Sequence, residues 1–325
     1  MNYFFSNKIT LENRKEIEEF VNAYPHETSG LTFTSLYMWR DQNRFSYEVI
    51  NDYLCVAGYS NFEGFQDEPF IFPLLPKKGI CDKKKLRDAM EEVVHRFREA
   101  GQPFVMRLVP PRLSPIYKDI MPGELLVLND RANHDYVYLV DDLAELKGRK
   151  YHGKKSHLNR FNRELEGRYE IVPMSGALAE EALELLEYID SRKQVEGFAA
   201  DMLAMEKAVL NDIMPSFEEL GFEGVALRID GKLQAYAFGG RLGDDIVVEH
   251  VEKANIEYPG IYQKINSEFC KLFQGRCRYI NREEDLGLEG LRKSKSSYKP
   301  FKMIEKCIIM MADDEEAVRR YSFDE

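Results

Sequence analysis

The sequence lacks the features of a membrane-spanning or exported protein. Its longest stretch without a charged residue, Thr28 to Trp39, is too short to span a bilayer. Its first residues do not combine a basic start with an apolar run, which argues against a signal peptide. The five cysteines are odd in number and form no Cys-x-x-Cys pair. We therefore expect reduced thiols in a cytoplasmic protein with no integral membrane association.

The familiar catalytic and metal-binding signatures are also missing. The six histidines form no HExxH motif, and no cysteine–histidine spacing suits zinc. There is no GxSxG nucleophile elbow, P-loop or GxGxxG turn. A catalytic cysteine would need a neighbouring base, which the sequence does not identify. We expect no metal, and no cofactor is indicated with certainty.

The charge is unevenly distributed along the chain. The 325 residues carry a net charge of −11, which argues against a general nucleic-acid or membrane coat. Two segments are nevertheless basic: residues 147–168 carry +6 and residues 292–302 carry +5, which leaves −22 on the rest. Two cationic segments on an acidic body indicate local recognition of an anion. The alternative is that both are solvated helix faces.

The order of predicted elements repeats. Each half reads strand, two helices, three strands, helix, strand, helix, strand, and the length suits two domains. We predict an α/β (α+β) protein with two similar domains, each a mixed, mostly antiparallel sheet flanked by helices. The first domain is placed at residues 1–134. The second is placed at 135–325 and includes a basic interdomain helix at 150–166.

The segment from Cys277 to Pro300 is the most unusual part of the chain. A short strand ends at Asn281, an acidic turn contains Glu283 and Asp285, and a helix follows whose polar residues are mostly basic. On that helix Lys295 shares a face with leucines, where a lysine normally needs a partner. Its stem could instead pack while its ammonium reaches water, and the acidic residues could only cap the helix.

The predicted interdomain helix carries a polar stripe beside its apolar face. Lys155, Asn159 and Arg163 follow one another at steps of four, and such a stripe can border a groove that grips phosphates. The alternative is a solvated helix in which Arg160 or Arg163 pairs with a nearby glutamate.

The element order resembles the GNAT acyltransferase fold, and two copies in tandem resemble the FemABX peptidyl transferases. The segments FTSLYMWRD, VEHVEKAN, GIYQKIN and NREEDLGLEGLRKSKSSYKP look like the family named after the C-terminal domain of phosphatidylglycerol lysyltransferase, in its stand-alone form. The resemblance covers nearly the whole chain. It implies a tandem GNAT-like fold and transfer of an aminoacyl group from aminoacyl-tRNA. Because this chain lacks the membrane region of lipid-modifying relatives, phosphatidylglycerol is a less expected acceptor.

The resemblance also suggests where the reacting groups lie. GNAT-like enzymes often use a carboxylate or a bound water on the strand that reads DDIVVEHVEKA here. Strand alternation would place Glu249 with Val251 on one face, and His250 with Glu252 on the other. For any one of them an ordinary ion pair is the alternative.

These arguments give two sets of candidate residues. The predicted catalytic residues are Glu249, Glu252, Asn281 and Lys295. The predicted substrate- or donor-binding residues are Lys155, Asn159, Arg163, His250, Tyr262, Gln263, Glu283, Asp285, Arg292 and Lys299.

Three functions remain open from the sequence. The first is an acyl- or aminoacyltransferase that uses aminoacyl-tRNA or acyl-CoA as co-substrate and a small molecule or peptide as acceptor. The second is an acetyl-CoA-dependent acetyltransferase, although Pro259 supplies no N–H for a coenzyme A pyrophosphate before Gly260. The third is a non-catalytic RNA- or anion-binding module on the same scaffold. A basic helix that docks an acidic protein partner is a further possibility.

Overall fold

The computed structural model describes residues 3–23, 27–61, 67–192 and 198–322. The chain forms two compact units. Unit 1 comprises Met1–His134 together with Ile304–Glu325, and unit 2 comprises Asp135–Met303. The predicted boundary at 134/135 agrees with this division. The predicted end of the second domain at 325 is wrong, because the last 22 residues belong to unit 1.

The strands of the described residues are numbered in chain order. They are β1 (Asn7–Lys8), β2 (Ser46–Ile50), β3 (Tyr53–Tyr59), β4 (Pro69–Ile71), β5 (Leu75–Pro76), β6 (Val105–Val109), β7 (Leu125–Asn129), β8 (Asp135–Leu139), β9 (Tyr169–Pro173), β10 (Glu223–Ile229), β11 (Lys232–Leu242), β12 (Ile246–Ala254), β13 (Tyr279–Asn281), β14 (Lys302–Ile304) and β15 (Cys307–Met311).

The α-helices of the described residues are numbered in the same way. They are α1 (Arg14–Val21), α2 (Phe33–Met38), α3 (Lys83–Glu99), α4 (Ser114–Ile120), α5 (Val140–Glu145), α6 (His152–Glu164), α7 (Ala179–Ser191), α8 (Phe198–Ile213), α9 (Ile261–Phe273), α10 (Glu289–Ser297) and α11 (Glu315–Tyr321).

Local signals in the sequence account for many of these elements. The Asp82 side chain accepts hydrogen bonds from the backbone N–H groups of Lys84 and Lys85, which caps the start of α3. Asn51 and Asp52 both adopt positive φ between β2 and β3, and Asp230 with Gly231 do so between β10 and β11. Two consecutive positive φ angles form the tight turn that suits antiparallel strands. Both pairs of strands form antiparallel hairpins.

The two sheets have the same plan. Sheet 1 runs β1-β2-β3-β4-β6-β15-β7, with β5 beside β3, and sheet 2 runs β9-β10-β11-β12-β13-β8-β14. In each sheet one pair of adjacent strands is parallel, β4 with β6 and β12 with β13, and the other pairings with a determined register are antiparallel. Both units are GNAT-like, and the predicted fold class is confirmed.

The sixth strand of each sheet is the first strand that the chain adds to that sheet after it leaves the other unit. β8 directly follows the main part of unit 1 but pairs with β13 in sheet 2. β15 directly follows unit 2 but lies between β6 and β7 in sheet 1. The sequence predicted one continuous last strand, MIEKCIIMM, where the structure has β14 and β15 in different sheets. The faces of β15 explain its position: Ile309 and Met311 join the main core of unit 1, while Ile308 and Met310 pack with α11.

In unit 2 the helices α5, α6 and α9 cover one face of sheet 2. Ile265, Phe269 and Phe273 of α9 are completely buried and lie in one cluster with Tyr151, Leu158 and Phe161. The cluster fixes α9 against the sheet. It thereby sets the position of the side chains at the start of α9 relative to β12.

Candidate functional site

The site is organised by the parallel pair β12 and β13. The two strands pair from Ile246 with Tyr279 to Val248 with Asn281, where β13 ends. β12 continues to Ala254 along β11. A fork therefore opens in the sheet beyond Val248 and Asn281. Ligand pockets commonly form where the strand order of a sheet leaves such an opening.

A β-bulge in β12 places two glutamates on the same side of the sheet. Phe238 of β11 pairs with Val251 and Gly239 pairs with Glu249, so the register along β11 skips His250. A side chain at Gly239 would collide with the backbone of β12, because its Cβ would lie 1.8 Å from the Val248 carbonyl oxygen. Regular alternation would have separated Glu249 from Glu252. The extra residue reverses the alternation, and the predicted opposition of these two side chains is wrong.

Arg282 holds the two glutamates together. Its Nε pairs with Glu249 Oε2 and its Nη2 pairs with Glu252 Oε2. The side chains of Arg282 and Glu249 are 9% and 3% exposed, so the pair is shielded from water. Burial alone would lower the pKa of Arg282, but the charges of Glu249 and Glu252 raise it well above its ordinary value. The guanidinium also lies 5.3 Å from the ring centroid of Tyr298.

Arg282 is the central residue that the sequence argument missed. It directly follows the buried Asn281 in NREEDLG. An arginine next to the buried end of a strand needs a carboxylate partner. That signal was present in the sequence but was overlooked beside the acidic residues that follow.

Glu252 has a strongly raised pKa. Burial raises its pKa to about 8, with a further contribution from Glu249, while Arg282, Lys295 and Lys154 act in the opposite direction. One oxygen of each carboxylate, Glu249 Oε1 and Glu252 Oε1, is buried with no hydrogen-bond partner. A carboxyl group with a pKa close to neutral can take up or release a proton during a reaction.

Lys295 fixes the turn after β13. Its ammonium donates to the backbone carbonyl of Arg282 at 2.7 Å and to that of Glu284. Burial lowers its pKa, although Glu284 and Glu283 oppose the effect. The structure therefore gives the lysine a partner in the backbone. Its predicted catalytic role stays a prediction.

The other predicted residues of this segment also hold the turn and α10. Asn281 Nδ2 donates to Asp135 Oδ2 at 3.0 Å, and Asn281 Oδ1 accepts from the backbone N–H of Glu283 at 2.8 Å. Asp285 is completely buried and accepts from Arg292 Nε at 3.0 Å and from the Tyr136 hydroxyl at 2.6 Å.

His250, the bulged residue of β12, joins the same segment. Its Nδ1 lies 2.9 Å from Glu283 Oε1, and its side chain is 1% exposed. Lys299, by contrast, is exposed and has a positive φ just after α10.

Helix α6 contributes Lys154 to the cluster. Its ammonium lies 4.1 Å from the ring centroid of Tyr298, and burial together with Arg282 lowers its pKa. Gln263 Nε2 lies 3.4 Å from the Tyr298 hydroxyl. Burial raises the pKa of Tyr262 to about 12, and Glu252 adds to the shift. Tyr262 and Gln263 therefore face the cluster from α9.

The polar stripe of α6 lines other parts of the surface than the cluster at the fork. Lys155 donates to the Glu145 backbone carbonyl at 2.8 Å and lines a cavity of about 300 Å³. Asn159 and Arg163 line an open depression of about 710 Å³. The phase of α6 turns Lys154 toward the fork and Lys155 toward α5. Arg160 pairs with Glu164 at 2.8 Å, as the solvated alternative predicted.

Helix α6 also covers the start of α9. Gly260 has a φ of +91°, and a Cβ there would lie 2.3 Å from the His157 carbonyl oxygen and 3.1 Å from Phe161 Cβ. In GNAT acetyltransferases the corresponding helix N-terminus binds the coenzyme A pyrophosphate. Here the neighbouring helix packs against that position.

Within residues 3–23, 27–61, 67–192 and 198–322, no group of three or more His, Cys, Asp or Glu side chains could hold a metal ion. Over the same ranges, no helix combines the length and the apolar character needed to cross a bilayer.

Comparison with protein families now identifies the chain. The family model described as phosphatidylglycerol lysyltransferase, C-terminal, matches residues 21–309. The chain belongs to this family. The family is of the acyl- or aminoacyltransferase type. No curated protein matches the sequence.

Solved structures agree with this assignment. A conserved protein of unknown function from Bacteroides thetaiotaomicron is 31% identical, with a TM-score of 0.82, over 94% of this chain and 98% of that one. L-PGS from Bacillus licheniformis is 14% identical, with a TM-score of 0.63, over 98% and 96% of the two chains. FemX is 7% identical, with a TM-score of 0.60, over 96% and 98%. The last two show the shared fold.

Proposed function

We propose that this member of the phosphatidylglycerol lysyltransferase C-terminal family transfers an aminoacyl group from aminoacyl-tRNA to an amine or hydroxyl acceptor at the fork of sheet 2. The observation that supports it best is the Glu252 carboxyl, which has a pKa of about 8 and an oxygen without a partner beside the fork. Catalytic acids and bases typically have pKa values shifted toward the working pH.

The proposed reaction uses Glu252 as the general base. The acceptor nitrogen or oxygen attacks the ester carbonyl of the donor and gives its proton to Glu252. The bond between the carbonyl carbon and the ribose oxygen then breaks, and the ribose oxygen takes a proton from Glu252 as it leaves. Lys154 is placed to offset negative charge on the carbonyl oxygen in the transition state, and Arg282 keeps Glu249 paired and Glu252 oriented.

Two features favour a tRNA-borne donor over acyl-CoA. Pro259 supplies no backbone N–H, and α6 packs against Gly260 where a pyrophosphate would bind. Calorimetry with coenzyme A tests this choice. We expect no binding at micromolar concentrations, and a micromolar dissociation constant would overturn the preference.

Transfer itself can be tested with radiolabelled aminoacyl-tRNAs and a set of primary amines, hydroxyl compounds and peptides. Glu252→Gln keeps the size of the side chain but cannot accept the proton, so we expect transfer to fall about 100-fold or more. Glu48→Gln is the matched control, since Glu48 is also paired with an arginine but lies in unit 1. Unchanged transfer by Glu252→Gln would contradict the proposed base.

The second candidate is a non-catalytic RNA- or anion-binding module. It is favoured by Arg282, which occupies the fork and engages one oxygen of each glutamate. Filter binding with tRNA, combined with the transfer assay, distinguishes this module from a transferase. A protein that binds tRNA, shows no transfer with any acceptor and is unaffected by Glu252→Gln would be such a module.

A further inference from the structure

Asn266 is a polar residue of the core that takes no part in the reaction as proposed. It ends the motif GIYQKIN, lies in α9 and is completely buried. Neither its side-chain oxygen nor its side-chain nitrogen has a hydrogen-bond partner. A buried amide without partners costs on the order of 1–3 kcal/mol. Its position therefore calls for an explanation.

The neighbours of Asn266 on α9 show which way its side chain points. Residues four apart lie on one face of a helix, so Tyr262, Asn266 and Cys270 share a face. Burial raises the pKa of Tyr262 and Cys270, and the next cause is the charge of Glu252 for Tyr262 and of Glu249 for Cys270. Asn266 lies between two residues that sense these two carboxylates. Val247 and Ala254 of β12 lie in one core cluster with Cys270, so this side of β12 faces α9. The bulge puts Glu249 and Glu252 on the same side, opposite the face of α9 that carries Asn266.

The two glutamates also have side-chain atoms without hydrogen-bond partners, and these atoms are acceptors. Glu249 Oε1 and Glu252 Oε1 are buried and also lack a hydrogen-bond partner. Together with Asn266 they present three acceptor oxygens and one NH₂ donor. Buried water molecules typically make about three hydrogen bonds to groups of this kind. A water molecule can donate to two of the oxygens and accept from the amide NH₂.

We propose that Asn266 is a positioning residue that holds a water molecule between Glu249 and Glu252, and that this water carries the proton from the acceptor to Glu252. The relay rests on the proposed function. The acceptor N–H or O–H gives its proton to the water oxygen while a water proton passes to Glu252 Oε1. The water is unchanged overall, and Glu252 needs no direct contact with the acceptor.

The test measures the titration of Glu252 by NMR on protein labelled with ¹³C at the glutamate carboxyl carbons, with Glu252→Gln used to assign the signal. Asn266→Leu has a similar volume but no hydrogen-bonding atoms. We expect it to raise the pKa of Glu252 by about one unit or more, because the free oxygen loses its solvation. Ser267→Ala is the matched control: Ser267 is the next residue of α9 and is completely buried, but it donates to the Ala144 carbonyl. It should leave the titration unchanged.

A second variant covers the case in which Asn266→Leu does not fold. Asn266→Asp keeps the shape and adds a carboxyl group that would couple to Glu249 and Glu252. We expect the Glu252 signal to titrate in two steps or to shift by at least about one unit. A Glu252 titration identical to wild type in either folded variant would overturn the proposal.

The reaction gives a separate readout. If transfer is observed, Asn266→Leu should lower kcat about tenfold with little change in KM, and the pH profile should move with the Glu252 titration. If no transfer is found while the Glu252 titration shifts, the proposed function fails and the placement of Asn266 stands. If transfer is found and neither the titration nor kcat responds, Asn266 is only a packing residue and the relay is wrong.

Discussion

The two units use the same sheet plan for different purposes. In unit 2 the parallel pair β12 and β13 opens into a fork that holds Glu249, Glu252 and Arg282. In unit 1 the parallel pair β4 and β6 meets only at Ile71 and Met106. The chain that leaves β4 there continues into an aromatic contact, with the ring centroids of Phe70 and Phe72 5.4 Å apart.

Phe45 adds to the unit 1 contact, with its ring centroid 5.2 Å from that of Phe72 in an edge-to-face arrangement. Burying these rings stabilises the fold and offers no group that could move a proton. The fork is therefore a property of the scaffold. Whether a fork can support a reaction depends on which side chains line it.

Removal of β15 should have the largest effect, and it should affect unit 1 alone. A chain that ends at Ile304 keeps β14 but lacks the strand between β6 and β7, together with the buried Ile309 and Met310. We expect hydrogen exchange protection to be lost in sheet 1 and kept in sheet 2. A chain that ends at Ala312 keeps β15 and loses only α11, and it should retain protection in both sheets. Equal protection of sheet 1 in the two truncated chains would show that β15 is dispensable.

Loss of Arg282 should be the most destabilising single substitution of the site. Arg282→Met leaves two buried carboxylates without their cation, which costs about 3–5 kcal/mol of unfolding free energy. Arg96→Met in unit 1 is the matched control, because Arg96 also bridges two glutamates but is 33% exposed. Exposed pairs contribute about 1 kcal/mol or less. Urea denaturation followed separately for each unit measures both changes, and similar losses would contradict the distinction between the two clusters.

The protonation of Glu252 should make the stability of unit 2 depend on pH. Its pKa is raised to about 8 in the folded protein from an ordinary value of 4.5. The folded state therefore binds the proton more tightly, and this stabilisation is complete below about pH 4.5 and is lost as the pH rises toward 8.

Glu252→Gln removes that dependence. Between pH 5 and pH 8 we expect its unfolding free energy to rise relative to wild type by at least about 1 kcal/mol, the value of one pKa unit. A constant difference across this range would show that Glu252 has an ordinary pKa. Transfer activity should rise with pH over the same interval, since the base must be ionised.

The smallest expected effect separates two neighbouring lysines of α6. Lys154→Ala removes the cation beside Tyr298 and should lower kcat/KM about tenfold, or roughly 1.4 kcal/mol. Lys155→Ala removes only a contact to the Glu145 carbonyl and should leave kcat/KM unchanged. If Lys155→Ala has the larger effect, the donor binds along the polar stripe of α6 and not at the fork.

The sequence predicted most of the fold and only part of the site. Helical and strand periodicity gave the order of elements, because amphipathic patterns depend on local geometry. The patterns did not reveal that β14 and β15 belong to different sheets, since a strand's own residues do not specify its partners. The bulge at His250 was also hidden, because alternation assumes a regular strand. Whether Lys154 or Lys155 faces the fork depends on the rotational phase of α6. An error of one residue in that phase exchanges the two lysines, so the sequence did not decide between them.

The crossing of the chain between the units has a consequence for synthesis on the ribosome. Every strand of sheet 2 lies within residues 135–304, so that sheet has all of its strands before residues 307–311 are added. Sheet 1 begins earlier but receives its missing strand from residues 307–311, after every strand of sheet 2 has been synthesised. The half that emerges first is therefore completed last, and until then β6 and β7 have open edges that a chaperone can cover.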